Sequence, residues 1–176
     1  MNIKERLSQR IGKHDIHEIN YLLQNNASKK QELFNLLFDS SDKIAYQAAW
    51  VMSHFSKEEN QWLSAKQDAL ISEVMICKHI GKRRLLLTIL YNQPLVNLRA
   101  DFIDFCLDRV VTDKEPLAIQ SLCMKIAYEL CRPVPELMQE LRAALEMMED
   151  DLSPAIRAAR NNILKAMQKG KSLQKF

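Results

Sequence analysis

The residues of this 176-residue chain that could do chemistry are few, and the densest group lies near its start. His14, Asp15, His17 and Glu18 fall within five positions. Two histidines three residues apart near the start of a helix can turn toward one metal ion, but no third ligand is evident. An Asp15–Glu18 capping pair accounts for the two acids without a metal. The sequence therefore predicts no metal site and no cofactor.

Motifs for catalysis are missing from the sequence as well. It contains no Ser/His/Asp grouping, no phosphate-binding loop and no dinucleotide fingerprint, and three glycines could hardly build one. The four cysteines form no CxxC pair, so we interpret them as free thiols of a protein in the reducing cytoplasm; they are Cys77, Cys106, Cys123 and Cys131. The sequence favours a non-enzymatic role and predicts no catalytic residue.

Charge and hydropathy restrict the possible partners. The net charge of +3 and the pI of about 8.6 are mild, whereas a nucleic-acid-binding domain usually has a pI above about 9. No apolar run approaches the roughly 18 residues of a membrane span, so no membrane partner is expected. The charged opening segment MNIKERLSQRIGKH has no apolar core, so no signal peptide is expected.

A repeated pattern of polar, small and apolar residues organises the chain. Ala45, Lys82, Ala118 and Ala155 hold equivalent places, 37, 36 and 37 residues apart. Two positions later each copy has a long polar residue, followed by small or aliphatic columns, which is the pattern of an amphipathic helix. A second helix precedes each copy; the four read ELFNLLF, ALISEVM, FIDFCLDRVV and LMQELRAALEMM. Self-similarity at this period predicts an α-helical solenoid.

The repeat predicts one all-α domain over residues 1–176 with about ten helices. Residues 1–26 are expected to form two N-terminal cap helices, residues 28–169 four helix pairs of about 37 residues, and residues 170–176 a frayed tail. The second cap helix is expected from Ile16 to about Gln24, with Asp15 and Glu18 as its capping box, after Gly12 has ended the first. One long helix is expected from Ser56 to about Lys78.

The segments IAYQAAWVM (44–52) and PAIRAARNNIL (154–164) resemble the second helix of HEAT and armadillo repeats, in which an Arg precedes paired alanines. The resemblance covers about Ser28 to Lys169, although the period is shorter than the usual HEAT length of about 40–47 residues. It implies a right-handed α-α superhelix that acts as a protein-binding scaffold. Lys82-Arg83-Arg84 also resembles a helix start in the HEAT-like alkylpurine DNA glycosylases. The segment one repeat earlier has no acid, so no catalytic residue is carried over.

The second helices of such a stack commonly line its concave, ligand-binding surface. Away from the core columns they carry Arg, Trp and Tyr, the residue types enriched at binding hot spots. The candidate residues are Gln47, Trp50, His54, Arg84, Tyr91, Gln120, Tyr128, Arg157, Arg160 and Asn161. Core packing is the alternative interpretation of the aromatic side chains. The leading hypothesis is a non-catalytic module that binds another protein or a peptide segment on this face.

Nucleic acid is the alternative partner. The last part of the chain has no acid after Asp151 and six cations that could contact phosphates: Arg157, Arg160, Lys165, Lys169, Lys171 and Lys175. Acids cluster around the preceding turn, at Glu146, Glu149, Asp150 and Asp151. Helix-end charge complementarity is therefore the competing explanation of the basic strip.

Overall fold

Helices account for the regular structure of the computed structural model, which describes residues 1–95, 97–149 and 151–176. Over these residues there are eleven α-helices and no strand, which confirms the all-α prediction. The helices are α1 (Ile3–Ser8), α2 (Lys13–Leu23), α3 (Ala27–Asn35), α4 (Asp42–Met52), α5 (Lys57–Ser64), α6 (Gln67–Ile76), α7 (Ile80–Tyr91), α8 (Ala100–Val111), α9 (Leu117–Cys131), α10 (Pro135–Glu146) and α11 (Pro154–Lys169). A 3₁₀ turn, Leu36–Phe38, follows α3. None of the described helices is long and apolar enough to cross a bilayer.

The helices pack in two layers. Helices α4, α7, α9 and α11 contact one another in that order and form what we term the second-helix layer. Their first residues are 38, 37 and 37 positions apart, which reproduces the period of the repeat. Helices α6, α8 and α10 also contact one another in order. Phe34 of α3 packs against Trp62 of α5, and Gln31 of α3 accepts from Lys66, which precedes α6. We group these five helices as the first-helix layer. The solenoid prediction is confirmed, while the right hand of its superhelix stays a prediction.

The columns of the repeat form the core between the layers. Ala48 and Ala49 have no exposed surface, and neither have Ile126 and Ile163. Small residues at the first pair let neighbouring helices approach closely, and the larger aliphatic residues fill the space between the layers. Leu122, from the same set of columns, is only half-buried.

The helix ends show which local signals were interpreted correctly. Ser56 and Glu59 form the predicted capping box of α5, and Ser153 caps α11. Gly170 ends α11 with φ of 63°, in the left-handed region that favours glycine. The predicted start of α2 was wrong: Gly12 is its N-cap, because its own N–H donates to Asp15 Oδ2 at 2.7 Å and the helix begins at Lys13.

The long helix predicted from Ser56 to about Lys78 is two helices, α5 and α6, with a break at Lys66. The break accompanies the burial of the next side chain. The Gln67 amide turns into the core and donates to Gln93 Oε1 at 3.1 Å and to the Pro94 carbonyl at 2.7 Å. These bonds attach α6 to the chain that leaves α7.

The chain after α11 is not frayed as predicted but packs back on the second-helix layer. The buried Glu129 carboxylate accepts the Leu173 N–H at 2.7 Å and the Ser172 hydroxyl at 2.9 Å. Gln174 Nε2 donates to the main-chain carbonyls of Tyr91 and Gln93, each at 2.7 Å. Specific polar partners on α9 and beyond α7 therefore hold this segment.

Candidate functional site

Aromatic side chains cover the junction between α4 and α7 on the outward face of the second-helix layer. Trp50 and Tyr46 are both half-buried. The Tyr46 ring lies 5.3 Å from the His79 ring, and a methyl group added at Gly81 would come within 2.9 Å of it.

The hollow that Trp50 borders has a volume of about 550 Å³, and Arg10, Gly12 and Tyr46 also line it. Trp50 is half-buried at its edge, so part of the indole faces solvent.

Arg84 is the cation that α7 offers to solvent. It is exposed, and it lies four residues after Ile80 and four before Thr88, a spacing that places all three on one face of the helix. Ion pairs neutralise the two cations that precede it in the chain. Lys82 Nζ lies 2.6 Å from Glu73 Oε1, and Arg83 pairs with Glu115. Arg84 makes no ion pair within the described residues.

Three of the ten predicted site residues are buried, because their polar groups bond to the protein itself. Gln47 Oε1 accepts the Ile11 N–H at 3.1 Å, and its amide nitrogen donates to the main-chain carbonyls of Leu7 and Gln9 at the end of α1. Gln120 Nε2 donates to the Val110 carbonyl at 3.3 Å. Tyr128 is 1% exposed, and its hydroxyl donates to the Lys171 carbonyl. These three side chains join elements of the solenoid through hydrogen bonds to main-chain groups.

His54 and Tyr91 lie at the ends of α4 and α7. His54 is exposed, with its Nδ1 3.0 Å from the Trp50 carbonyl. Tyr91 is half-buried; burial first, and the nearby Glu129 carboxylate second, raise the pKa of its hydroxyl. Its carbonyl accepts from Gln174, so the segment after α11 occupies part of its surroundings.

The remaining predicted residues are on α11, the last helix of the stack. Arg157 is exposed and donates to the Leu152 carbonyl at 3.0 Å. Arg160 is half-buried, with its Nε 3.4 Å from the exposed Asn161. The structure therefore places these three at the end of the second-helix layer, whereas Trp50 and Arg84 are near its start. Asp150, in the acidic turn before α11, lies outside the described residues.

Charge is divided unequally between the two layers. Helices α4, α7, α9 and α11 contain nine Lys and Arg against two Asp and Glu. Helices α3, α5, α6, α8 and α10 contain five Lys and Arg against eleven Asp and Glu. The basic strip predicted from the sequence begins only at α11, and neither it nor the candidate site includes Lys43 and Lys125. Counting charges helix by helix would have found them.

The group near the N-terminus brings together His14, Asp15 and Glu18, whose ligand atoms lie within 4.8 Å of one another. Glu18 takes the place that the sequence suggested for His17. Asp15 is already bonded: the Gly12 N–H first, and the Arg6 guanidinium second, hold the pKa of its carboxyl below the usual value. Asp15 therefore caps the start of α2.

The four cysteines are buried and free, and Cys106 and Cys123 lie side by side between α8 and α9. Burial raises the pKa of Cys106 well above that of an ordinary thiol, and it raises the pKa of Cys131 to about 11. A thiol that stays protonated and inaccessible is a poor nucleophile. These cysteines contribute to packing.

A hollow near the C-terminus was not predicted. It measures about 820 Å³ and lies where α9, α10 and α11 meet the segment after α11. Met138 and Met167 supply apolar surface, while Glu129 and Arg132 supply charge. Because Glu129 already bonds to the C-terminal segment, the polar part of this hollow is occupied from within the chain.

Comparison with known proteins gives one match. The family described as HEAT repeat domain matches residues 3–167, which is nearly the whole chain. No curated protein matches the chain, and no solved structure does.

Proposed function

Because this chain belongs to the HEAT repeat family, we propose that it is a non-catalytic interaction module that binds a segment of another protein across its second-helix layer. We take the outward side of that layer as the concave, binding face. HEAT repeats generally serve protein interaction, and the match covers both layers of the stack.

The unequal charge of the two layers is the observation that carries this proposal. Buried ion pairs neutralise Lys82 and Arg83, whereas Arg84 and Lys125 make no ion pair within the described residues. Trp50 and Tyr46 add a partly exposed aromatic surface on the neighbouring helix α4. Aromatic residues beside arginine are the composition of binding hot spots. One layer thus combines features that favour a partner, and the acidic first-helix layer does not.

Site-specific photo-crosslinking tests the choice of face. A photoreactive amino acid replaces Thr88 on α7 in one variant and Asp104 on α8 in the control. We expect protein adducts from native lysate at position 88 and not at position 104. The position-88 adducts should disappear when Arg84→Glu is added. Equal adducts at both positions, or adducts that persist with Arg84→Glu, would contradict the proposal.

Nucleic acid is a second candidate because α11 carries four cations and no acid. Phosphate contacts would make the affinity for a random DNA duplex fall steeply with salt. Fluorescence anisotropy at two salt concentrations measures this fall, and Lys165→Glu with Lys169→Glu should abolish the binding. Absence of binding at low salt would exclude this candidate.

A further inference from the structure

We infer that the segment bound by the second-helix layer is acidic and extended, with a carboxylate at about every third residue. This inference rests on the proposed function and specifies the chemistry of its partner. It follows from three cations that stand on three consecutive helices of one layer.

Arg84, Lys125 and Lys165 form this row, which we term the cation row. They belong to α7, α9 and α11, and each is exposed or half-exposed. None makes an ion pair within the described residues, so their charges are available to a partner. Helices α7 and α11 contain no acid, and the one acid of α9, Glu129, is buried against the C-terminal segment.

The spacing of the cation row follows from helix geometry. The three residues are the fifth, ninth and twelfth of their helices. Packed helices lie about 8–10 Å apart, and offsets of three or four residues add about 4.5–6 Å along the axis. Adjacent cations are therefore about 10–11 Å apart at their helices. An extended chain in the polyproline II conformation advances about 3.1 Å per residue and has three residues per turn. This distance therefore corresponds to about three residues, and every third side chain faces the same way.

Trp50 extends the row by one helix. It lies on α4, the neighbour of α7, and it is the ninth residue of that helix. The same geometry places it about 10–11 Å from Arg84. A partner segment whose acids face the cation row would bring an apolar residue, three positions before or after the first acid, against the half-buried indole.

The spacing favours a peptide over a nucleic acid. Duplex DNA carries a phosphate about every 3.4 Å along each strand. A cation about every 10 Å would face one phosphate in three and leave the others without a partner. An extended peptide with an acid at every third position would face each cation once.

Fluorescence anisotropy with designed peptides tests the inference. The probe is a labelled peptide of about twelve residues, with glutamates at every third position, Gly and Ser between them, and Leu at one end. A second version carries Leu at the other end, so both chain directions are covered. The control peptide has the same composition with its glutamates adjacent. Of the two spaced peptides, we expect the one with the higher affinity to bind at least about five-fold more tightly than the control at low salt.

Two protein variants complete the test. Arg84→Glu should weaken the spaced peptide about five-fold or more, whereas Arg142→Glu, on the exposed face of α10, should leave it unchanged. Circular dichroism checks folding, and Lys125→Gln replaces Arg84→Glu if that variant is unfolded. Equal binding of both peptides, equal effects of both variants, or tighter binding of a random single-stranded oligonucleotide would overturn the inference. If only the peptides fail while crosslinking at position 88 persists, the face is right and the acid spacing is wrong.

Discussion

Replacing Gln47 by Leu should destabilise the fold strongly, although this glutamine resembles a surface residue in the sequence. Its amide bonds to three main-chain groups: the Ile11 N–H at 3.1 Å, the Leu7 carbonyl at 2.5 Å and the Gln9 carbonyl at 2.6 Å. Leu7 and Ile11 are buried, while Gln9 is exposed. Leucine preserves most of the side-chain volume, so the variant isolates the hydrogen bonds from the cavity effect.

The expected cost follows from the groups left without a partner. Water can replace the bond at exposed Gln9, but not those at Ile11 and Leu7. Each unsatisfied buried group costs about 1–3 kcal/mol, so Gln47→Leu should lower the free energy of unfolding by about 2–6 kcal/mol. For a chain of this size that is a fall in melting temperature of about 5–20 °C. Gln139→Leu, at an exposed position of α10, should change stability by less than about 0.5 kcal/mol.

Urea denaturation followed by circular dichroism measures the cost, and hydrogen exchange at the Ile11 amide shows where it arises. A pH series with Gln47→Glu adds an independent check. A carboxylate at this buried position would face two carbonyl oxygens, so its folded pKa should be raised. Relative to wild type at the same pH, the penalty should be largest at pH 7 and should shrink below the unfolded pKa of about 4.3, where the protonated carboxyl can donate to one of the two carbonyls.

The reasoning would be refuted by a Gln47→Leu variant as stable as wild type whose Ile11 amide stays protected. That result would mean that Ile11 and Leu7 find other partners. Loss of protection at Ile11 with an unchanged urea midpoint would instead show that α1 detaches by itself. In that case the cost is confined to the N-terminal cap.

Two further predictions concern the core. Ile126→Ala should lower the free energy of unfolding by about 2–5 kcal/mol, because this side chain has no exposed surface, and half-buried Leu122→Ala should cost clearly less; equal costs in urea denaturation would contradict the register of α9. Stability should also fall as the pH rises from about 8.5, where unfolded thiols ionise, toward about 11, the pKa of Cys131 in the fold. The reason is that the folded state keeps the Cys131 proton to a higher pH than the unfolded state does. Cys131→Ala should flatten this fall in a pH series of urea midpoints, and an unchanged slope would exclude this thiol as its cause.

The repeat could be predicted from the sequence because its signals are local or periodic. Ala48 and Ala49 mark a close helix approach, and small or aliphatic pairs recur at the period of the stack. Ser56 and Ser153 cap helix N-termini, and each accepts a hydrogen bond from the main-chain N–H three residues later. Patterns of this kind depend on the chain near each position and need no knowledge of distant contacts.

The missed features depend on distant partners. Gln47 was interpreted as exposed because it is polar, yet its partners lie 36 to 40 residues earlier in the chain. The break before Gln67 follows from bonds to residues beyond α7. No window of the sequence contains both halves of such a bond. The charge difference between the layers is different in kind, since it becomes visible once the helices are assigned to their layers.

The segment after α11 changes how the stack should lose its order. In an ideal solenoid each unit touches only its neighbours, and the terminal unit can fray by itself. Here Gln174 bonds to carbonyls at the exit of α7, two helices back in the second-helix layer. The last helix cannot leave the stack without breaking these bonds and those to Glu129. The C-terminal half of this chain should therefore unfold as one cooperative unit and not helix by helix from its end.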